Sequence, residues 1–420
     1  MSHVYVIGAG LAGLAAALSL STAGREVTVY EAGSAAGGRC RSYFDRELGL
    51  RIDNGNHLLL SGNRAAFSYV QEIGSRSHFD NSTEPRFPFV DLKTNERWVL
   101  RPNRGRLPWW TLMNGRRVPG SRLSEYLRMA AIPRIRDDTV VAESMRHGHL
   151  YRRLVEPLAI AALNTRPQVG LARILGAVMR ETLMQGGSAC VPRFPRGGLS
   201  EALIDPAVTT LRHRGTSVLF NHRVGSLQVE AGRVTGLRIG ESTIAVAPED
   251  AVILATPPWV AAGLLPELTV PDQFEAILNI HFGATGTPER SVRECGFVGV
   301  LNGVAEWVFV KPDHVSVTVS AANAMVDEPA AQIARRVWPN VHAALGLAEG
   351  TRDTMPLFRV VKEKRATFVA TAEQERRRPH ARTPLPNLIL AGDWTATGLP
   401  ATIEGAIRSG RFASATLLAS

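Results

Sequence analysis

The sequence predicts an α/β protein in which a domain assembled from separated segments is interrupted by an inserted α+β domain. Three observations predict it. First, the apolar run His3-Val4-Tyr5-Val6-Ile7 passes through closely spaced glycines into Leu11, Leu14, Ala15 and Leu18 at helical spacing. Ala23-Gly24-Arg25 then stops that helix before a second strand-like run, Val27 to Tyr30. Second, short β-like runs return at 217–219, 234–239 and 251–255, and the last segment, 387–419, reads as strand, glycine turn and helix. Third, residues 76–190 lose the alternation and turn rich in Arg and Trp with helical periods at 154–163 and 171–183, which predicts a mostly helical insertion. Runs at 298–301, 307–310 and 315–319 predict adjacent strands of a separate sheet, followed by a helix over 330–345. The resulting division is 1–75, 191–262 and 385–420 for the first domain, and 76–190 with 263–384 for the second.

Composition narrows the class. With 420 residues, 45% of them hydrophobic, the chain can build sizeable cores. No run reaches the roughly 18 to 20 apolar residues of a membrane span, and the stretch 251–265 is broken by Pro257 and Pro258. The N-terminus lacks the pattern of a secretory signal, so a cytosolic protein is expected. Cys40, Cys190 and Cys295 are far apart and outside any CxxC pairing, which predicts reduced thiols and no metal site. The net charge of +10 is concentrated: from Arg97 to Arg136 there are ten arginines and one acid, Glu125, a local charge of +9.

Gly8-x-Gly10-x-x-Gly13 lies between the first strand and helix, where glycines permit a tight turn and close approach of a pyrophosphate to the helix N-terminus. Glu31 follows 18 residues after the last glycine, at the end of the second strand, where a carboxylate can accept hydrogen bonds from ribose hydroxyls. Strand, glycines and acid together indicate a Rossmann-like dinucleotide site. Gly37-Gly38-Arg39 adds an arginine able to reach a pyrophosphate. At the other end, Leu388 to Leu390 delivers Ala391-Gly392-Asp393 to a turn, and Thr402-Ile403-Glu404-Gly405-Ala406 opens a helix whose free amides could stabilise negative charge on a reduced flavin.

These motifs, together with Ser409-Gly410, resemble the FAD-dependent amine oxidase and carotenoid desaturase superfamily. The resemblance implies a tightly bound FAD, held at Gly8, Gly10, Leu11, Ala12 and Gly13, at Glu31 and Ala32, and at Gly38 and Arg39. It further implies contacts from Gly55, Asn56 and His57, an adenine-side backbone contact at Val224, and a flavin-ring site at Gly392, Asp393, Thr402 and Ile403. Against the amine oxidase pattern, Leu399 and Thr402 stand where Trp and Tyr belong. For the lysine common in those enzymes, the best candidate among the four lysines is Lys311, read as a surface residue beside Pro312.

A more specific set is Asp53-Asn54-Gly55-Asn56-His57-Leu58-Leu59-Leu60, Leu107-Pro108-Trp109-Trp110, Glu363-Lys364-Arg365-Ala366-Thr367 and Gly392-Asp393-Trp394-Thr395 through Pro400. It is similar to the squalene-associated FAD-dependent desaturases of bacterial hopanoid clusters, the hydroxysqualene dehydroxylase family. That resemblance implies reductive replacement of the hydroxyl of hydroxysqualene by hydrogen, with reduced FAD as donor and squalene-pathway synthases as partners. Protonation of the hydroxyl beside an alkene would release water and leave a delocalised cation for hydride capture, in a dry apolar site. His57 is the candidate proton donor, with a structural histidine or a flavin contact as the other readings. Asp53 reads as a turn or helix cap, and His147-Gly148-His149 as a solvated turn. The enzyme alternative is a carotenoid-type desaturase using oxidised FAD; the non-enzyme alternative is a flavin-containing scaffold that binds prenyl lipid.

Arg97, Arg101, Arg104, Arg106, Arg116, Arg117 and Arg122 are interleaved with Trp98, Leu107, Trp109, Trp110, Leu112 and Met113. Arginines attract anionic headgroups and tryptophans favour the interface, so the segment is expected either to dock peripherally on the inner face of the cytoplasmic membrane or to form a core with a solvated rim. No nucleic-acid recognition module accompanies it.

Overall fold

The computed structural model describes residues 2–80, 82–145, 147–283 and 286–419. Strands at His3–Ile7 and Glu26–Tyr30 pair in parallel, with Val6 opposite Val29 on one side and Ile253 on the other. Ala251–Leu254, Leu388–Leu390 and Ser217–Leu219 complete a five-stranded parallel sheet. Sequence-distant strands therefore lie side by side, and their carboxyl ends open toward one edge, where α/β sheets bind ligands. Val6, Val29, Ile253 and the helix residues Leu14 and Leu18 are fully buried. The helix Leu11–Thr22 packs against the closing helix Ile403–Leu418 at a point set by Gly410: a Cβ there would stand 2.0 Å from the carbonyl oxygen of Ala12. The helices approach that closely because no side chain intervenes.

The second sheet has seven strands in the order Phe358–Phe368, Phe274–Phe282, Val315–Val319, Trp307–Val310, Phe297–Leu301, Phe87–Asp91 and Glu96–Leu100. One face is apolar and packs Leu278, Ile280 and Val317 on Ile333, Val337 and Val341 of the helix Ala330–Leu345. The other carries a buried polar strip, with Asn279 opposite Thr318 and His281 opposite Ser316. A helical cluster, including Glu156–Leu163 and Ala172–Glu181, lies beside this sheet around Trp110, Tyr126, Leu154 and Leu175.

Helices predominate over 76–190, as expected, but the structure adds two strands that the sequence did not announce. The segment begins with the hairpin of Phe87–Asp91 and Glu96–Leu100, closed through Asn95 at φ 55°. Apolar residues are contiguous in Phe87 to Val90, which hid its strand period. The long antiparallel pair of Phe274–Phe282 and Phe358–Phe368 is a second feature that the sequence does not predict. No helix among the described residues is long and apolar enough to cross a membrane.

Candidate functional site

The glycine loop is built for a ligand rather than for packing alone. Gly8 sits at φ +106°, and a Cβ there would stand 2.6 Å from the carbonyl oxygen of Ala255; one on Gly13 would stand 1.9 Å from that of Gly8. Those two glycines fix the turn. Gly10 differs: a Cβ on it would meet nothing within 4 Å, and one on Gly38 would find only the Gly10 Cα, at 3.8 Å. Gly37 runs beside Gly10, its amide donating to the Ala9 carbonyl at 2.8 Å, so Gly38 flanks an open cradle above the start of the first helix. This suits the close approach of a dinucleotide pyrophosphate.

Glu31 closes the adenosine side. Its Oε2 accepts from the Ala9 amide at 2.9 Å and its Oε1 from Gly33 at 2.7 Å, which fixes the carboxylate while leaving lone pairs for ribose hydroxyls. The backbone of Glu31 bonds to Leu219 and His222, placing the buried Val224 near this loop, while Ala32 is exposed beside it. Leu11 and Ala12 are buried in the first helical turn.

Arg39 bridges the separated segments. Its Nη2 donates to both carboxylate oxygens of Asp393, at 2.7 and 2.8 Å, and its Nη1 to the carbonyl of Ala366 at 2.7 Å. Arg378 holds the same turn from behind, donating to the carbonyls of Asp393 and Thr395 with its side chain fully buried. Nothing local in Arg376-Arg377-Arg378 marks the third arginine as the buried one, so sequence reasoning missed it. The Thr402 hydroxyl caps the closing helix by accepting from Gly405 at 3.1 Å. Among the described residues the amides of Ile403 and Glu404 have no acceptor, which leaves two donors at the positive end of the helix.

The turn Asn54 to His57 is stitched to the polar strip of the second sheet. The Asn54 carbonyl accepts from Asn279 Nδ2 at 3.1 Å, and Asn54 Nδ2 donates to Glu363 Oε2 at 3.1 Å. Asn56 Nδ2 donates to Thr318 Oγ1 at 3.1 Å, while Asn56 Oδ1 is buried without a partner. Asn279 and Thr318 are site residues that the sequence did not announce. The His57 ring folds back beside Gly55, and the next residue, Leu58, packs against the cluster of Phe297, Phe309, Phe194 and Trp307.

Electrostatics corrects two expectations. His57 is not a ring that carries a proton near neutrality: burial pulls its pKa down to about 4, with Asp53 pulling it back and Arg39 and Lys311 pushing it further down. Lys311 is not a surface residue. Its side chain is only 9% exposed, 3.4 Å from Asp53 and donating to the Pro195 carbonyl. Asp53 also accepts from the Ser42 hydroxyl at 2.6 Å and the Leu199 amide at 2.8 Å, so it joins three segments as a cap and ion-pair partner. These donors hold its carboxyl below the ordinary range despite burial.

Residues 11–418 match the family of flavin containing amine oxidoreductases. Two relatives named hydroxysqualene dehydroxylase, from Sinorhizobium fredii and Rhodopseudomonas palustris, are 46% and 45% identical to the chain. The matches cover 98% and 99% of this chain and 97% and 98% of theirs. Among solved structures, an oxidoreductase from Methanosarcina mazei has the same fold, with a TM-score of 0.72 at 16% identity over 97% of this chain and 98% of that one.

Proposed function

The chain belongs to the flavin containing amine oxidoreductase family, and from that membership we propose that it is a FAD-dependent oxidoreductase that converts hydroxysqualene to squalene. The observation that carries the substrate class is the apolar cluster beyond His57. Leu58 enters a cluster of Phe297, Phe309, Phe194 and Trp307, an environment suited to an isoprenoid chain. FAD, when bound, supplies the two-electron chemistry. Gly10 and Gly38 would flank its pyrophosphate, Glu31 its adenosine ribose, and the amides of Ile403 and Glu404 the electron-rich edge of its ring.

His57 is the proton donor in this proposal. A ring with a pKa of about 4 is protonated in roughly one molecule in a thousand at pH 7, yet that form is a stronger acid than a free imidazolium. Proton transfer to the substrate hydroxyl lets it leave as water. The polar strip of Asn279 and Thr318 holds the Asn54 to His57 turn in place through the hydrogen bonds at Asn54 and Asn56. The exposed side chains of Leu107, Trp109, Leu112 and Leu127, flanked by Arg104, Arg106 and Arg122, are proposed as the surface through which the protein meets the lipid that carries its substrate.

The test is a single-turnover assay on the anaerobically reduced holoenzyme. Squalene should form as the flavin is oxidised, faster as pH falls toward 4, and His57→Gln should slow it roughly 10² to 10⁴-fold with flavin still bound. A more unsaturated product from oxidised enzyme would instead support the desaturase reading. Unchanged turnover in the variant would remove His57 from the mechanism.

A further inference from the structure

Beside the exposed apolar residues lies a cavity of about 340 Å³ that the proposed reaction does not use. Its lining includes Arg64, Arg104, Arg106, Gln185 and Ser188, with Glu181 as its carboxylate. Three chain segments form it, and backbone bonds pin them together. The Gly187 amide donates to the Asn103 carbonyl at 2.9 Å, Ser188 to Arg104 at 3.1 Å, and Gly62 to Ala189 at 2.8 Å. Close packing leaves no slack, since a Cβ on Gly186 would stand 2.5 Å from the carbonyl oxygen of Gly105.

The charge in this basin is unbalanced. Glu181 is already held by Arg408, through contacts of 2.7 and 2.9 Å, whereas Arg64, Arg104 and Arg106 form no ion pair among the described residues. Three guanidinium groups around a cavity with hydroxyl and amide donors match the oxygens of a phosphate. The location selects which phosphate. Arg104 and Arg106 lead directly into Leu107, 81% exposed, and Trp109, 47% exposed, so a phosphate in the cavity would lie beside residues that can enter acyl chains.

We propose that this cavity binds the phosphate headgroup of an anionic phospholipid and so fixes the depth and orientation at which the protein sits on a membrane. The inference rests on the docking surface proposed above. It adds a discrete headgroup site to what diffuse charge alone would supply.

The test uses flavin-loaded protein and short-chain phosphatidylglycerol below its micelle concentration, read by thermal shift and calorimetry. Parent protein should bind it and be stabilised, and short-chain phosphatidylcholine should have much less effect. The triple variant Arg64→Gln, Arg104→Gln, Arg106→Gln should bind roughly a hundredfold more weakly, at about fivefold per arginine. The charge-matched variant Arg46→Gln, Arg238→Gln, Arg335→Gln, at exposed arginines outside the 97–136 segment, should retain the binding, and normal flavin content in both variants excludes misfolding. Equal loss in the two variants would overturn the site in favour of diffuse attraction. Equal stabilisation by inorganic phosphate would overturn the lipid assignment. A parent that binds anionic vesicles without responding to the soluble headgroup would overturn this site and leave docking standing; a parent that binds no vesicle would overturn both.

Discussion

Glu31 engages both carboxylate oxygens with backbone amides before any ribose arrives, so its position is fixed rather than searched for. Glu31→Ala should weaken FAD binding by about 1 to 3 kcal/mol, measured as flavin released on dilution or dialysis. Glu31→Gln, which keeps one carbonyl acceptor, should fall between the two. Titration gives a second residue-scale prediction. Burial raises the Glu306 pKa from 4.5 to about 7, so the folded protein keeps a proton that the unfolded chain has lost, and this contribution to stability disappears as pH rises from 4.5 to 7. His57 has the opposite sign: its folded pKa of about 4 lies below the ordinary 6.5, so stability is lost as pH falls through that window. Urea midpoints across pH 4 to 8 should therefore show Glu306→Gln gaining on the parent as pH rises and His57→Gln gaining as it falls. Differences that stay flat with pH would contradict both assignments.

At the scale of elements, the contact between the first and last helices is a tightly constrained joint, with no room for a side chain at Gly410. Gly410→Val would drive side-chain atoms into the Ala12 carbonyl, so it should lower the melting temperature and loosen FAD together, because the same helix carries Thr402 and Ile403 at its other end. Gly115→Val, where a Cβ meets nothing within 4 Å, is the control and should change neither. Glycine spacing made this half readable: strand, turn, helix and acid follow within thirty residues, each fixed by its neighbours in sequence. The central pair of the second sheet was not readable for the opposite reason. Asn279 and His281 interrupt the apolar pattern of Phe274–Phe282 because they face the Asn54 turn, and Glu363 to Arg365 place a run of charge inside Phe358–Phe368. Lys311 was misread similarly, since its partner Asp53 is 258 residues away and no local signal announces a buried ion pair.

Across the whole molecule, most of the +10 net charge falls in one forty-residue segment, 97–136, and this segment also carries six of the thirteen large exposed apolar side chains among the described residues. Trp110 packs edge-on against Tyr126, fixing the turn Trp109–Leu112 on the helix Leu123–Met129, while Leu112 and Leu127 are 69% and 75% exposed. A water-soluble surface would bear a cost for these groups, whereas a lipid interface would bury them at roughly 25 cal/mol per Å². Arginine attraction and apolar insertion can then be separated, because salt screens the first over about 8 Å and leaves the second nearly unchanged. Leu107→Ser, Leu112→Ser and Leu127→Ser together should reduce binding to anionic vesicles at least tenfold and leave a residue of binding that raised salt abolishes. The same variant should keep its flavin and turn over detergent-dispersed substrate at the parent rate, because none of the three side chains contacts the Asn54 to His57 turn. If vesicle binding by the variant equals that of the parent, the exposed leucines are not an insertion surface, and lipid must reach the site by another face.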